Sequence, residues 1–154
     1  MSLTLSDSQD RTVDSEIIST VAGVVVDEEG LPPDTELSVA LIDTSAMAQL
    51  NEAHMGKDGA TDVLAFPLEA AKPGRPPTST PGGPPIAIGD VFICPDVVAA
   101  NAAAAGVPFD DEVALMVVHG ILHLLGYDHV DDEDAALMEG RETDLLALTG
   151  RTRP

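Results

Sequence analysis

His119-Gly120-Ile121-Leu122-His123-Leu124-Leu125-Gly126-Tyr127-Asp128-His129 is the stretch on which the reading of this chain turns. It lies in the most apolar part of the sequence. From Val113 to Leu125 every residue except His119, Gly120 and His123 is Ala, Val, Leu, Ile or Met. A helix that is apolar on all sides is a buried central helix. Imidazoles inside it need partners, because an unsatisfied buried polar group is costly. His119 and His123 are four residues apart, so they stack on one helical face. Gly126 permits a break at the helix C-terminus, after which the chain can bring back His129. Three neutral imidazoles at one point make an open metal site with a fourth position left for water.

Working outward, 154 residues with 44% hydrophobic content predict one domain over 1–154 with a core of its own. Cys94 is the single cysteine, which excludes an internal disulfide and fits a reducing cytoplasm. Met1 to Asp10 is polar and lacks the basic start of a signal peptide. No apolar run reaches the ~18 residues of a membrane span, so no membrane partner is expected. The formal charge is −20, from 27 acidic and 7 basic residues. Such a balance argues against DNA or general nucleic-acid binding through a basic face. It reads as a solubility or high-salt feature. Any RNA contact is therefore expected in a local cleft, where a metal and a few of the basic residues supply positive charge.

Periodicity then places the elements. A weak strand is expected at Ser2–Leu5 and a helix at Asp10–Val26, with Val13, Ile17, Ile18, Val21, Val24 and Val25 at helical spacing. Glu36–Ile42 alternates as a strand with Leu37, Val39 and Leu41 on one face. Asp43 or Thr44 caps a helix to about His54 that buries Ala46, Met47 and Leu50. Asp62–Phe66 is a short strand stopped by Pro67. Residues 68–85 hold six of the twelve prolines and read as a mobile surface loop. Ile86–Ile93 is a strand antiparallel to Asp62–Phe66, with Gly89-Asp90 marking a bulge. An Ala-rich helix runs from Pro95 to Gly106, and Asp110 is expected to cap the central helix. A last helix follows Asp131 and buries Ala135, Met138, Leu145 and Leu148. The expected fold is α+β: a small mixed four-stranded sheet packed with about five helices, one of them central, buried and carrying the metal ligands.

The spacing His119, His123, Gly126, His129 is that of the zinc site in metzincin proteases. A protease of that type needs Glu directly after the first His as general base. Here that residue is Gly120, so a zinc metalloprotease survives only as an alternative lacking its base. Gly120 either leaves open space beside the site or allows close helix packing.

The same run resembles the signature of the YbeY family of rRNA-maturation metalloendoribonucleases. Leu50-Asn51 followed by Thr61-Asp62-Val63-Leu64-Ala65-Phe66-Pro67 is similar to the family's Leu-Asn and Thr-Asp-Val-Leu-Ser-Phe-Pro pattern, with Ala65 in place of Ser. Gly89-Asp90-Val91-Phe92-Ile93-Cys94 resembles its Gly-Asp-Ile strand. The motifs fall in the family's order and cover about 37–148. The resemblance implies a cytoplasmic, single-strand-specific, metal-dependent endoribonuclease acting on the 16S rRNA precursor in 3′-end maturation and in ribosome quality control. It implies one divalent metal, usually zinc, on His119, His123 and His129; the His₃ set itself suits nickel, cobalt and iron as well.

The family arginine that follows Leu-Asn matches Met55 here, and Lys57 is the nearest candidate to replace it. That departure keeps a third reading open: a metal-stabilised, ribosome-associated factor with weak catalysis. His54 is read as a packing or rim residue and Cys94 as core; Tyr127 reads as core ahead of a ring that stacks a base, and Asp128 as a turn-stabilising carboxylate ahead of one that tunes the site. Asp90 is either a partner of a ligand imidazole or part of the bulge.

Overall fold

Helix formation starts where side chains can take up free backbone N–H groups and ends where glycine can turn the chain. The computed structural model describes residues 1–154. Its elements are β1 (Ser2–Asp7), α1 (Ser15–Glu28), β2 (Glu36–Leu41), α2 (Thr44–Met55), β3 (Val63–Pro67), β4 (Ala87–Ile93), α3 (Pro95–Ala105), α4 (Phe109–Leu124) and α5 (Asp132–Leu148). The sheet order is β1-β2-β4-β3. β1 and β4 both run parallel to β2, and β3 is antiparallel to β4 on the outer edge. This is the expected α+β fold with a four-stranded mixed sheet and five helices.

Several local expectations change. α1 begins at Ser15 rather than Asp10, because the Asp14 side chain accepts the N–H of Glu16 and caps the helix there. α4 begins at Phe109 after Pro108, so Asp110 is in its first turn and is not its cap. There Asp110, Asp111 and Glu112 face the positive end of the helix. In α2 the buried residues are Met47 and Asn51; Ala46 is exposed and Leu50 half-buried. In α5 Leu148 is exposed, while Leu146 and Glu142 are buried beside Met138 and Leu145. Pro67 ends β3 from within, tolerated because an edge strand needs no N–H on its free side. The bulge falls where Glu36 and Leu37 face Ala87 and Gly89, leaving Ile88 unpaired against β2.

α4 is the centre of the core. It packs against α1, α3, α5, β3 and β4, and Val117, Val118, Ile121, Leu122 and Leu124 are all but inaccessible. Each contributes about 1.5–3 kcal/mol by burial. One core of 29 buried residues joins α1, the sheet and α3 to α5.

Gly120 sits where α4 crosses the sheet. A Cβ there would lie 2.6 Å from Val91 Cγ1 and 3.3 Å from Val63 Cγ2. Of the two roles open to Gly120, the structure selects close packing: the missing side chain lets α4 lie on β4 and β3. Gly120→Ala is expected to destabilise by about 1–3 kcal/mol through overpacking. Gly140→Ala, on α5 with nothing within 4 Å of the new methyl, is expected to stabilise by about 0.5–1 kcal/mol. Urea midpoints of the two variants should move in opposite directions; a Gly120→Ala midpoint at or above wild type would contradict the close approach.

Candidate metal centre

α4 carries His119 and His123 one turn apart, and the turn after it returns His129. The return depends on Gly126, whose φ is +93° and whose Cβ position is filled by the Ala71 carbonyl oxygen at 2.2 Å. Tyr127 anchors the same turn. It is 6% exposed, and its hydroxyl donates to the Glu29 carboxylate at 3.2 Å. Arg141 Nε donates to the same carboxylate at 2.8 Å. Burial, then the Glu29 charge, raises the Tyr127 pKa above its ordinary value. Tyr127 is therefore packed in the core, as its sequence position suggested, with one part of it lining the cleft. The Asp128 carboxylate accepts the backbone N–H of His129 at 2.8 Å, a turn-stabilising role.

The three imidazoles converge. One ring nitrogen from each of His119, His123 and His129 lies within 4.8 Å of the others. The ring centroids are 4.5, 5.1 and 5.6 Å apart. His119 Nε2 and His123 Nε2 are 3.0 Å apart. Tetrahedral zinc with bonds of about 2.0–2.1 Å places its nitrogens about 3.3 Å from one another, so this pair is close to coordination distance. The ring orientation also fits. His119 Nδ1 lies 2.8 Å from Glu142 Oε2. A carboxylate only accepts, so the imidazole proton sits on Nδ1 and Nε2 keeps its lone pair for a metal.

Burial lowers the pKa of His123, reinforced by the neighbouring His119 and His129, while Asp128 and a backbone hydrogen bond with Tyr127 act the other way. The shift favours the neutral ring, the form that binds metal.

The cleft in front of the imidazoles has a volume of about 600 Å³. Lys57, Met55, Asn51 and Asp62 line it with the three histidines and β3 residues Val63 to Ala65. Lys57 and Met55 therefore share the metal cleft, although the pattern in sequence could say only that they were near each other. His54 stays outside, edge-on to Phe66 at 5.3 Å, a rim residue as expected. Cys94 is fully buried. Asp90 pairs with Phe66 and Ser38 in the sheet and has no hydrogen bond to an imidazole.

Glu142 went unnoticed in the sequence, yet it is 1% exposed and touches His119. A signal was present: Met138, Glu142, Leu145 and Leu146 fall on one stripe of α5, and a carboxylate in an apolar stripe needs a buried partner.

Comparison with known proteins gives this geometry a lineage. A family model described as endoribonuclease YbeY matches residues 4–150. This chain belongs to the YbeY family. A YbeY endoribonuclease of Salinispora tropica is 41% identical over 99% of both chains. One from Arthrobacter is 39% identical over all of this chain and 97% of its own. One from Kineococcus radiotolerans is 46% identical over 82% of this chain and 72% of its own. The solution structure of a Thermotoga maritima protein shares the fold, with a TM-score of 0.60 at 23% identity over 96% of this chain and 91% of that one. No helix of this YbeY member is long and apolar enough to cross a membrane.

The His123 shift has a pH consequence. The metal-free folded protein binds a proton at His123 less readily than the unfolded chain, whose histidines titrate near 6.5. As pH falls below about 6.5 the unfolded state takes up more protons, so this residue's contribution turns against folding. Urea midpoints of metal-free wild type and His123→Gln, compared at pH 7.5 and 5.5, isolate it from the general easing of charge repulsion. Wild type should lose ground to the variant at pH 5.5; a constant difference between them would contradict the assigned direction.

Proposed function

We propose that the chain is a metal-dependent, single-strand-specific endoribonuclease whose metal is held by His119, His123 and His129. The observation that carries this reading is the donor set: three imidazole nitrogens within 4.8 Å, at the wall of an open cleft, with no fourth protein donor in the group. A structural zinc site is closed by four protein ligands, whereas a catalytic one has three and an open position. This favours catalysis over a purely metal-stabilised factor. Zinc is the metal we assign; bound there, it supplies a Lewis acid for a phosphodiester and lowers the pKa of coordinated water. Gly120 stands where a metalloprotease would carry its base, and its Cβ position is filled by Val91, so the site lacks the general base that a peptidase of that type requires. The family names its relatives endoribonucleases. We assign this chain the 16S rRNA precursor on the ribosome, 3′-end maturation and ribosome quality control in the cytoplasm, and one domain over 1–154.

An acidic protein must still hold a polyanion, and the ion pairs indicate where. Arg11, Arg141, Arg151 and Arg153 are paired to Asp96, Glu29, Asp111 and Glu142. The other three cations, Lys57, Lys72 and Arg75, have no carboxylate partner. Lys57 lines the cleft. The Lys72 Cα lies 2.9 Å from the Cβ position of Gly126, on the cleft wall, and the Arg75 N–H bonds the Lys72 carbonyl at 2.8 Å. Lys57 thus lies in the cleft with Asp62 and Asp128, and the backbone of Lys72 and Arg75 follows next to Gly126 on its wall, so these three are the cations nearest the site that no carboxylate neutralises. Lys57 takes the part of the missing arginine, offering an ammonium to phosphate charge beside the metal.

Removal of metal with a chelator should lower cleavage of single-stranded RNA by at least about 100-fold, and zinc should restore it. His123→Ala should be equally inactive and not restored. Full-rate cleavage by metal-free protein would overturn the assignment. The double variant Lys72→Ala/Arg75→Ala should raise KM severalfold and spare most of kcat. Each lost phosphate contact should also flatten the dependence of log affinity on log salt by about 0.7. An unchanged salt dependence would remove these two residues from the RNA path.

A further inference from the structure

Burying a carboxylate is costly unless it is both paired and hydrogen-bonded. Glu142 is 1% exposed, on a stripe of α5 that is otherwise Met138, Leu145 and Leu146. A leucine would pack there without that cost. The carboxylate is accounted for by what it touches. Oε2 lies 2.8 Å from His119 Nδ1, and Oε1 accepts from Arg153 Nε at 3.2 Å. No buried side-chain nitrogen or oxygen in the protein lacks a partner. Arg153 lies beyond α5, in a segment fixed by Arg151. Its N–H bonds the Leu146 carbonyl at 3.0 Å, and its guanidinium pairs with Asp111 at the start of α4. A continuous line of contacts thus runs from the cleft to the segment after α5: His119, Glu142, Arg153.

We propose that Glu142 is a positioning residue of the metal centre and that Arg153 holds it in place, so that the segment after α5 sets the tautomer and ring orientation of His119. This rests on the reading of His119, His123 and His129 as ligands. Glu142 can only accept, which keeps the His119 proton on Nδ1 and aims the Nε2 lone pair at the cleft. A carboxylate behind a ligating imidazole also makes it a better donor to metal, and loss of such a partner typically weakens metal affinity 10–100-fold. The Arg153 guanidinium takes the other oxygen and fixes the carboxylate rotamer. Without it, Oε1 is left buried and unpaired, and the group is free to turn away from the imidazole.

The test compares metal-free wild type with Glu142→Gln, Arg153→Ala, Arg153→Lys and His123→Ala. Three quantities are read: the zinc dissociation constant by competition with a chelating dye, the urea midpoint without metal, and the side-chain ¹⁵N–¹H correlation that reports the His119 tautomer. Glu142→Gln has one acceptor oxygen, which the Arg153 Nε–H claims, so its NH2 turns to His119; it should bind zinc about 10–100-fold more weakly and lose the Nδ1–H signature. Arg153→Ala should weaken binding about 3–10-fold, and Arg153→Lys should recover most of that. Should Glu142→Gln fail to fold, Arg153→Ala still decides, because that side chain is 31% exposed. Lowered urea midpoints with zinc affinity and tautomer unchanged would make the contact purely structural and overturn the proposal. Wild type binding zinc no more tightly than His123→Ala would overturn the ligand assignment itself, and this proposal with it.

Discussion

Everything in this protein leans on the burial of α4. The helix touches α1, α3, α5 and two strands, so no face is left for solvent along most of its length. Two imidazoles on such a helix have to look out through the one gap in the packing. That gap is the cleft beside the edge strand β3, and it is where His119 and His123 point. The close approach at Gly120 brings the helix down onto Val91 and Val63, which sets the depth of the imidazoles against β3. The same residue that removes a protease base therefore fixes the position of the site.

The turn after α4 is held by contacts of a different kind. Gly126 gives way to the backbone of Ala71 and Lys72, and Tyr127 reaches the Glu29–Arg141 pair. His129 is exposed and has little packing of its own, so its place depends on these two neighbours. They join the end of α1, the middle of α5 and the loop after β3 to the third imidazole. The loop contact also brings the backbone of Lys72 against Gly126, which lines the cleft. In a chain of −20 charge, cations that are not neutralised by a nearby carboxylate are scarce, and placement matters more than number. Local charge within a Debye length of about 8 Å governs phosphate contact more than the total does.

His119 uses both ring nitrogens, one toward the cleft and one toward Glu142. The contact gives the buried Glu142 carboxylate a partner on the half-buried His119 ring and leaves the lone pair facing the other imidazoles.

The sequence by itself determined the fold class, the central helix and the three histidines. Each is written in local spacing: an apolar run too long to be amphipathic, an i, i+4 pair, and a glycine that permits the return. Helix starts were less legible at Asp10 and Asp110, because several acidic residues in a row can cap and only backbone geometry picks one. Leu148 and Ala46 were misplaced because a helical stripe predicts a face and not how far the neighbouring element covers it. Only the tertiary structure decided the rest. Glu142 meets His119 across 23 residues and Arg153 meets Glu142 from beyond α5. Tyr127 meets Glu29 across 98 residues. Periodicity reports contacts within an element. Partners on separate elements are set by how α4 and α5 pack, which no local pattern encodes.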